Sequence, residues 1–272
     1  MAQERLLEIS ALTKSFGGVH ALNSVDLSLA SGETLGIIGP NGSGKTTLFN
    51  VITGLVRADA GTARWNGEKA DLLRLPAWQV FQLGLARTFQ NIRLTLGETV
   101  LDNVSLGRHL QVCTPWWAVL ARPGETWRRD RRGREEALEA LRFVAPHLAE
   151  RPDRLVGELS YADRRRVELA RAMAAKPRLL LLDEPTAGMN PRETDEIGDD
   201  IRKIAAGGMA ILVIEHKMKF VASLASRIAV LNFGRKIAEG SYETVRGDPQ
   251  VIASYLGRKG DHLNKTSHRK EK

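Results

Sequence analysis

The chain has 272 residues, a size that fits one large α/β domain or a domain with a smaller appendage. Its hydrophobic content of 43% and charged content of 26% are those of an ordinary globular protein. No apolar run approaches the roughly 18 residues of a membrane span, and the first residues lack the apolar core of a signal peptide, so we expect neither. The single cysteine, Cys113, excludes an internal disulfide and fits a reducing compartment, and no Cys/His cluster has the spacing of a zinc site.

The formal charge of +8 suggests an acidic partner, but part of it lies at one end. Residues 258–272 hold six Lys/Arg and two Asp/Glu, and we expect a disordered basic tail that chiefly adds solubility rather than binding lipid or nucleic acid. A second basic run, residues 128–134, precedes apolar residues at helical spacing and predicts the exposed start of an amphipathic helix. Aromatic residues do not interleave with these charges, so we expect no nucleic-acid partner.

The first third of the chain shows strand patterns. Residues 6–30 alternate in strand fashion around Gly17 and Gly18, and residues 34–38 form a short apolar strand. Further along we predict a helix over 46–53 capped by Gly54, a strand over 62–65, a helix over 161–175, and strands over 210–214 and 228–232. Residues 92–157 are helical in pattern and interrupted by four prolines. This order predicts an α/β fold, a mainly parallel sheet covered by helices with a helical block inserted midway.

Residues 39–46 read Gly-Pro-Asn-Gly-Ser-Gly-Lys-Thr and fit the phosphate-binding loop pattern. The three glycines let the backbone turn its N–H groups toward a phosphate, and the following helix adds its positive N-terminal end. Lys45 can reach the β- and γ-phosphates, and the Thr46 hydroxyl suits Mg²⁺. Taken alone, this stretch leaves open a glycine-rich turn that binds nothing.

Residues 179–182 are four consecutive leucines, followed by Asp183 and Glu184. Such a run predicts a strand buried on both faces, as in parallel sheets. Asp183 can hold Mg²⁺, through water or directly, while strand alternation turns Glu184 the other way, where it could polarise an attacking water. The alternative is a loop start with a helix-capping role, and the phosphate loop upstream argues against it.

Six short motifs occur in the order found in the ATP-binding subunits of ABC transporters, and the chain resembles that family over nearly its whole length. They are Phe16, residues 39–46, Gln90 within Arg-Thr-Phe-Gln-Asn, residues 159–163 at the place of the family signature, Asp183 with Glu184, and His216 after a strand. The resemblance implies a P-loop NTPase fold with a mainly parallel sheet, an antiparallel β subdomain and an inserted helical subdomain. We expect one domain over residues 1–257, with its core at about 1–90 and 158–257 and the helical subdomain at about 91–157.

The resemblance also implies roles for individual residues. Glu184 is the expected catalytic base, Lys45 and His216 are expected at the γ-phosphate, and Mg²⁺ is expected on Thr46, Gln90 and Asp183. The expected ATP contacts are Phe16, which stacks on adenine, and Gly39, Pro40, Asn41, Gly42, Ser43, Gly44, Lys45, Thr46 and Thr47. Ser160 and Ala162 are expected to contact ATP in trans, because the family closes two ATPase subunits around the nucleotide. The second subunit is either a sister chain or another copy of this one.

Four segments are similar to the ATPases of branched-chain, or hydrophobic, amino-acid importers: residues 86–94, 159–161, 187–191 and 251–257. The resemblance implies ATP-driven uptake at the cytoplasmic face of the inner membrane. Two membrane permeases are the expected partners, docked on the helical subdomain, with a periplasmic binding protein as an indirect partner. Family members also carry urea, amides or aromatic acids, so the cargo stays open.

Two residues depart from the family pattern. Ala162 stands where the signature usually has Gly, and Asn190 stands where the turn after Glu184 usually has Asp. Both substitutions are small. Because Glu184, Lys45 and His216 are present, we expect an active ATPase.

Two other functions share these motifs. An ATPase of a lipid or polysaccharide exporter would have every catalytic residue seen here. A soluble ABC ATPase acting on ribosomes or DNA would carry two fused ATPase domains or long heptad arms, and an insert of about 65 residues is too short for such arms.

Overall fold

The structure, a computed structural model, describes residues 5–67, 70–108 and 123–255, except the side chains of residues 123–127. These residues divide into two compact units: the first comprises those up to residue 75 and those from residue 212 onward, and the second those between residues 76 and 211. The expected basic tail, residues 258–272, and Cys113 lie outside the described residues.

The strands in the described residues are β1 (Arg5–Phe16), β2 (Val19–Ala30), β3 (Thr34–Ile38), β4 (Ala60–Trp65), β5 (Ala70–Asp71), β6 (Leu85–Arg87), β7 (Leu179–Asp183), β8 (Ala210–Ile214), β9 (Arg227–Asn232) and β10 (Arg235–Gly240). The helices are α1 (Lys45–Ile52), α2 (Ala77–Gln82), α3 (Val100–Ser105), α4 (Pro123–Val144), α5 (Pro146–Ala149), α6 (Tyr161–Ala174), α7 (Pro191–Ala206), α8 (Met218–Leu224), α9 (Tyr242–Gly247) and a last helix, α10, over residues 249–255.

The first unit contains an antiparallel sheet in the order β2-β1-β4-β5. The Gly17-Gly18 turn joins β1 to β2, as the alternating pattern predicts. β4 begins two residues before its predicted start, because its pairing with β1 reaches Ala60 opposite Thr13. Long-range pairing rather than local propensity therefore sets where this strand begins.

The first unit also contains strands in the order β10-β9-β3-β8. Of β8, only residues 212–214 belong to this unit. β3 and β9 run parallel, with Leu35 opposite Arg227, and β9 and β10 form an antiparallel hairpin. All five residues of β3 are buried. Such burial is typical of a strand covered on both faces.

The second unit contains the parallel pair β6 and β7, with Leu85 opposite Leu179, and the helices α2 to α7. All five residues of β7 are buried, as its leucine run predicts. α6 packs against α3 and α4, and each of the three contributes a fully buried residue: Val104, Leu141 and Val167. The α/β fold is thus as predicted.

The helical block is less continuous than its pattern suggests. Residues 92–99 are irregular, and helix begins only at α3. Of the rest, α4 and α5 cover residues 123–144 and 146–149, and residues 109–122 lie outside the described part. Within the ranges that the structure describes, no helix is long and apolar enough to cross a bilayer.

A glycine beside α6 provides a test of the packing in the second unit. A Cβ at Gly107 would lie 2.0 Å from the carbonyl oxygen of Arg171, whereas one at the exposed Gly97 would meet nothing within 4 Å. We expect Gly107→Ala to lower the free energy of unfolding by about 1–3 kcal/mol, the usual cost of overpacking. Gly97→Ala should leave it within about 0.5 kcal/mol or raise it slightly. Urea unfolding of both variants measures the difference, and equal midpoints would contradict the packing.

Candidate active site

The backbone of residues 39–46 takes the shape that a phosphate-binding loop needs. Gly39 and Gly44 have φ angles of 150° and 106°, in the region that side chains rarely adopt. A Cβ at Gly39 would lie 2.1 Å from the carbonyl oxygen of Leu231, and one at Gly44 would lie 2.4 Å from that of Ala21. Both positions therefore require glycine for two reasons, the backbone angle and the lack of space.

Lys45 is the first residue of α1 and is buried, with 6% of its surface exposed. Its Nζ donates to the carbonyl oxygens of Gly39 and Pro40 at 2.7 and 2.9 Å. No side chain caps the N-terminus of α1, so its first N–H groups are directed to whatever the loop binds. Thr46 is exposed and Thr47 half-buried in this first turn.

Two further candidates of the first unit lie at strand ends. Phe16 ends β1 and is half exposed, with Lys14 Nζ 5.2 Å from the ring centroid. His216 follows β8, and 51% of its side chain is exposed. Its backbone N–H donates to the buried carboxylate of Glu215 at 3.1 Å, and the same oxygen lies 3.5 Å from the ring Nδ1. The buried carboxylate thus holds the backbone of His216 and lies near its accessible imidazole.

In the second unit, Asp183 ends β7 and is buried. Its Oδ2 accepts a hydrogen bond of 2.7 Å from Arg87, at the end of the neighbouring strand β6. The sequence analysis did not identify Arg87 as a site residue. The only local sign of this role is that an arginine follows a short apolar stretch. Its partner lies 96 positions away in the chain, so the sequence does not reveal the pair.

The prediction that strand alternation directs Glu184 was wrong. β7 ends at Asp183, and Glu184 has a φ of 47°, a left-handed conformation that is uncommon outside glycine. A local backbone turn therefore sets the direction of this side chain. Its Oε2 accepts a hydrogen bond of 2.9 Å from Gln90 Nε2, so the structure brings these two predicted residues into direct contact.

Ser160 is the N-cap of α6, and its hydroxyl accepts from the N–H of Asp163 at 3.1 Å. Ala162 lies within the helix and is only 4% exposed, so its methyl group is inside its own subunit. Because its backbone is helical, alanine in place of glycine causes no backbone strain here. Tyr161, between the two, is exposed.

Asp163 lies in the first turn of α6, and its carboxylate has three partners: His147 in α5, the N-cap Ser160 and Arg166. Burial acts to raise the pKa of Asp163, but hydrogen bonds from His147, Ser160 and Arg166 lower it overall. The carboxylate thus stays ionised at the positive end of the helix, where a negative charge is stabilising.

Asn190, the second departure from the family pattern, has a structural role. Its side chain accepts from the N–H of Glu193 at 3.0 Å, and the Glu193 carboxylate accepts from the N–H of Asn190 at 3.0 Å. This reciprocal pair is a capping box at the start of α7.

The predicted metal ligands are oxygen donors: a hydroxyl on Thr46, an amide oxygen on Gln90 and a carboxylate on Asp183. In the described residues no three His, Cys, Asp or Glu side chains converge as a metal cluster. A small set of oxygen donors fits Mg²⁺, which usually takes most of its ligands from phosphate and water.

Two family models match the chain. The ABC transporter model covers residues 22–187, and the model for the branched-chain amino acid ATP-binding cassette transporter covers residues 235–261. Among characterised relatives, the chain is 40% identical over 253 residues to the high-affinity branched-chain amino acid transport ATP-binding protein BraF of Pseudomonas aeruginosa, covering 93% of this chain and 98% of that protein. It is 39% identical over 255 residues to LivG of Escherichia coli strain K12, which bears the same description, with 93% and 98% covered.

Solved structures of ABC transporter ATP-binding cassettes also match the chain. An ATP-binding cassette of an ABC transporter in its ADP conformation superimposes with a TM-score of 0.79 at 32% identity, covering 93% of this chain and 99% of that one. A nucleotide-free ATP-binding cassette has a TM-score of 0.78 at 32% identity, with 92% and 98% covered.

The capping box at α7 yields a stability prediction. We expect Asn190→Ala to lower the free energy of unfolding by about 1 kcal/mol, because the N–H of Glu193 loses its acceptor. Asn190→Asp keeps that acceptor and adds a negative charge at a helix N-terminus, so it should match or slightly exceed the original stability. Thermal unfolding of the three proteins ranks them, and an Ala variant as stable as the Asp variant would contradict the capping role.

Proposed function

The chain belongs to the ATP-binding subunits of ABC transporters, and on that premise we propose that it hydrolyses ATP to power the uptake of branched-chain or other hydrophobic amino acids. The observation that carries the proposal is its 40% identity, over 93% of the chain, to a branched-chain amino acid transport ATP-binding protein. The geometry of the phosphate loop and the contact of Gln90 with Glu184 support the ATPase activity.

Nucleotide binding follows from the loop. Lys45 Nζ exchanges its two carbonyl partners for oxygens of the β- and γ-phosphates, while the loop and helix N–H groups donate to the same phosphates. Ser43, Asn41 and the three loop glycines supply that backbone. Phe16 is accessible enough to stack on adenine.

Hydrolysis requires a water deprotonated beside the γ-phosphate. We assign that proton to Glu184, whose carboxylate Gln90 contacts at 2.9 Å. His216, whose backbone Glu215 holds, donates a hydrogen bond from its exposed ring to the γ-phosphate as charge develops on it. Mg²⁺, held by Thr46, Gln90 and Asp183, would neutralise phosphate charge, and Arg87 fixes the Asp183 carboxylate for that role.

The partners are part of the same proposal. Ser160 and the first turn of α6 contact the ATP of a second ATPase subunit, either a sister chain or a second copy. Two permeases bind the helical subdomain and place the subunit at the cytoplasmic face of the inner membrane, with a periplasmic binding protein delivering cargo. An importer of urea, amides or aromatic acids and an exporter of lipid or polysaccharide are the alternatives.

Glu184→Gln tests the assignment of the base. The variant should bind ATP with unchanged affinity yet hydrolyse it at least ~100-fold more slowly, because an amide cannot accept the proton. ATPase rate and ATP affinity are measured side by side. Glu243→Gln, at an exposed position of the core, is the matched control and should hydrolyse ATP at the normal rate.

The same pair of variants tests the cargo. Cells that depend on this subunit should lose uptake of labelled leucine, isoleucine and valine when it carries Glu184→Gln, and keep it with Glu243→Gln. Normal ATPase activity in Glu184→Gln would overturn the base. If the cells instead lost uptake of urea or an aromatic acid with Glu184→Gln, the proposed cargo would be wrong and the assignment of the base would stand.

Lys45→Ala tests the phosphate loop. Losing two charge-assisted hydrogen bonds should weaken ATP binding at least ~10-fold, with hydrolysis falling in parallel. Calorimetric titration measures the affinity, and melting temperature without nucleotide shows whether the loop stays folded. Lys219→Ala, at an exposed position in the same unit, is the control. Unchanged affinity in Lys45→Ala would mean that the loop does not hold the phosphates.

A further inference from the structure

Two charged side chains of α6 lie in the interior of the second unit. Arg165 has no exposed surface and Glu168 is 1% exposed, and Arg165 Nη1 lies 2.6 Å from Glu168 Oε2. Removing both charges from water costs several kcal/mol, which their attraction seldom exceeds. Stability alone therefore does not explain why two charged side chains are buried here.

The pair holds the backbone of two adjacent residues. Arg165 donates to the carbonyl oxygen of Phe89 at 2.8 Å and to that of Gln90 at 3.0 Å. Glu168 Oε1 accepts from the N–H of Phe89 at 3.3 Å. Three backbone groups around Gln90 thus depend on one ion pair of α6.

Neighbouring charges fix the same segment. Arg171, also in α6, donates to the carbonyl oxygen of Arg93 at 2.5 Å. The ring of Phe89 has the guanidinium groups of Arg87 and Arg93 at 5.0 and 4.5 Å from its centroid. Burial raises the pKa of Glu168, while the charge of Arg165 acts against that shift.

The side chain of Gln90 leads from this anchored backbone to Glu184. Its Nε2 donates to Glu184 Oε2 at 2.9 Å, so the position of the Gln90 backbone sets where this contact can form. The helix that holds Gln90 is also the one capped by Ser160, five residues before Arg165, about 7.5 Å along the axis. One rigid helix therefore connects its own N-terminus to the carboxylate of Glu184.

We propose that Arg165 and Glu168 are positioning residues for hydrolysis: together they hold the Gln90 backbone so that Gln90 orients the Glu184 carboxylate. Neither touches the nucleotide in this role. The inference rests on the proposed function of Glu184 as the base.

Arg165→Met combined with Glu168→Leu is the main test. Apolar side chains of similar volume remove both charges of the pair, but the backbone groups of Phe89 and Gln90 lose their partners and Arg171 loses a nearby carboxylate, so we expect a folded protein with a lower melting temperature. We expect kcat to fall about 10- to 100-fold, the scale of a small displacement near reacting groups, with KM for ATP and ATP affinity unchanged. Asp199→Leu with Arg202→Met removes an exposed ion pair of the same spacing in α7, and should alter neither constant.

A double-mutant cycle with Gln90→Ala distinguishes an effect on kcat that acts through Gln90 from a general effect on packing. If the pair acts through Gln90, adding Gln90→Ala to the double variant should lower kcat no further, whereas independent effects would multiply. Arg165→Lys keeps the positive charge but cannot contact both carbonyls, so it should lower kcat with KM unchanged; it decides the question if the double variant does not fold.

Three results would overturn the inference: normal kcat in the double variant, normal kcat in Arg165→Lys, or multiplicative losses with Gln90→Ala. Each result counts only if the parent protein hydrolyses ATP and the Glu184→Gln variant does not. If the parent protein itself does not hydrolyse ATP, or Glu184→Gln is fully active, the proposed function fails instead.

Discussion

The phosphate loop depends on close backbone packing, because N–H groups can converge on an anion only where no side chain intervenes. A side chain at Gly39 would collide with a carbonyl oxygen of β9, and one at Gly44 with a carbonyl oxygen of β2. The turn between β9 and β10 is hydrogen-bonded to the phosphate loop and to β2. The N–H of Gly234 donates to the carbonyl oxygen of Ser43 at 3.0 Å, and its carbonyl oxygen accepts from the N–H of Asn23 at 2.8 Å. The antiparallel sheet and this hairpin are thus the scaffold of the loop, although neither has a chemical role.

In the second unit the constraint is electrostatic. A buried strand ends in two carboxylates, and each is held by a different partner: Asp183 by an arginine and Glu184 by an amide. Asp183 forms a buried ion pair with a cation, whereas the partner of Glu184 is a neutral side chain. Two adjacent acids can therefore perform different tasks because their neighbours differ.

Sequence reasoning predicted β3, β7 and β8 correctly, because a strand buried on both faces is apolar at every position. It predicted Ser160 at a helix N-terminus for an equally local reason. It missed the pair of Arg87 with Asp183, since their contact arises from strand pairing between distant segments. It misjudged Glu184 because a left-handed glutamate has no local sequence signal. Residues 92–99 read as helical by periodicity alone, yet the structure shows them irregular.

The contacts of Lys45 have a consequence for the energetics of nucleotide binding. Its ammonium group already donates to two carbonyl oxygens of its own loop, so in the proposed site ATP binding would be a displacement in which old hydrogen bonds are broken as new ones form. The measured enthalpy should accordingly be smaller than a count of protein–phosphate contacts suggests. The same internal cation holds the loop in shape between successive turnovers, so a new nucleotide meets a preorganised site and binding need not order the backbone.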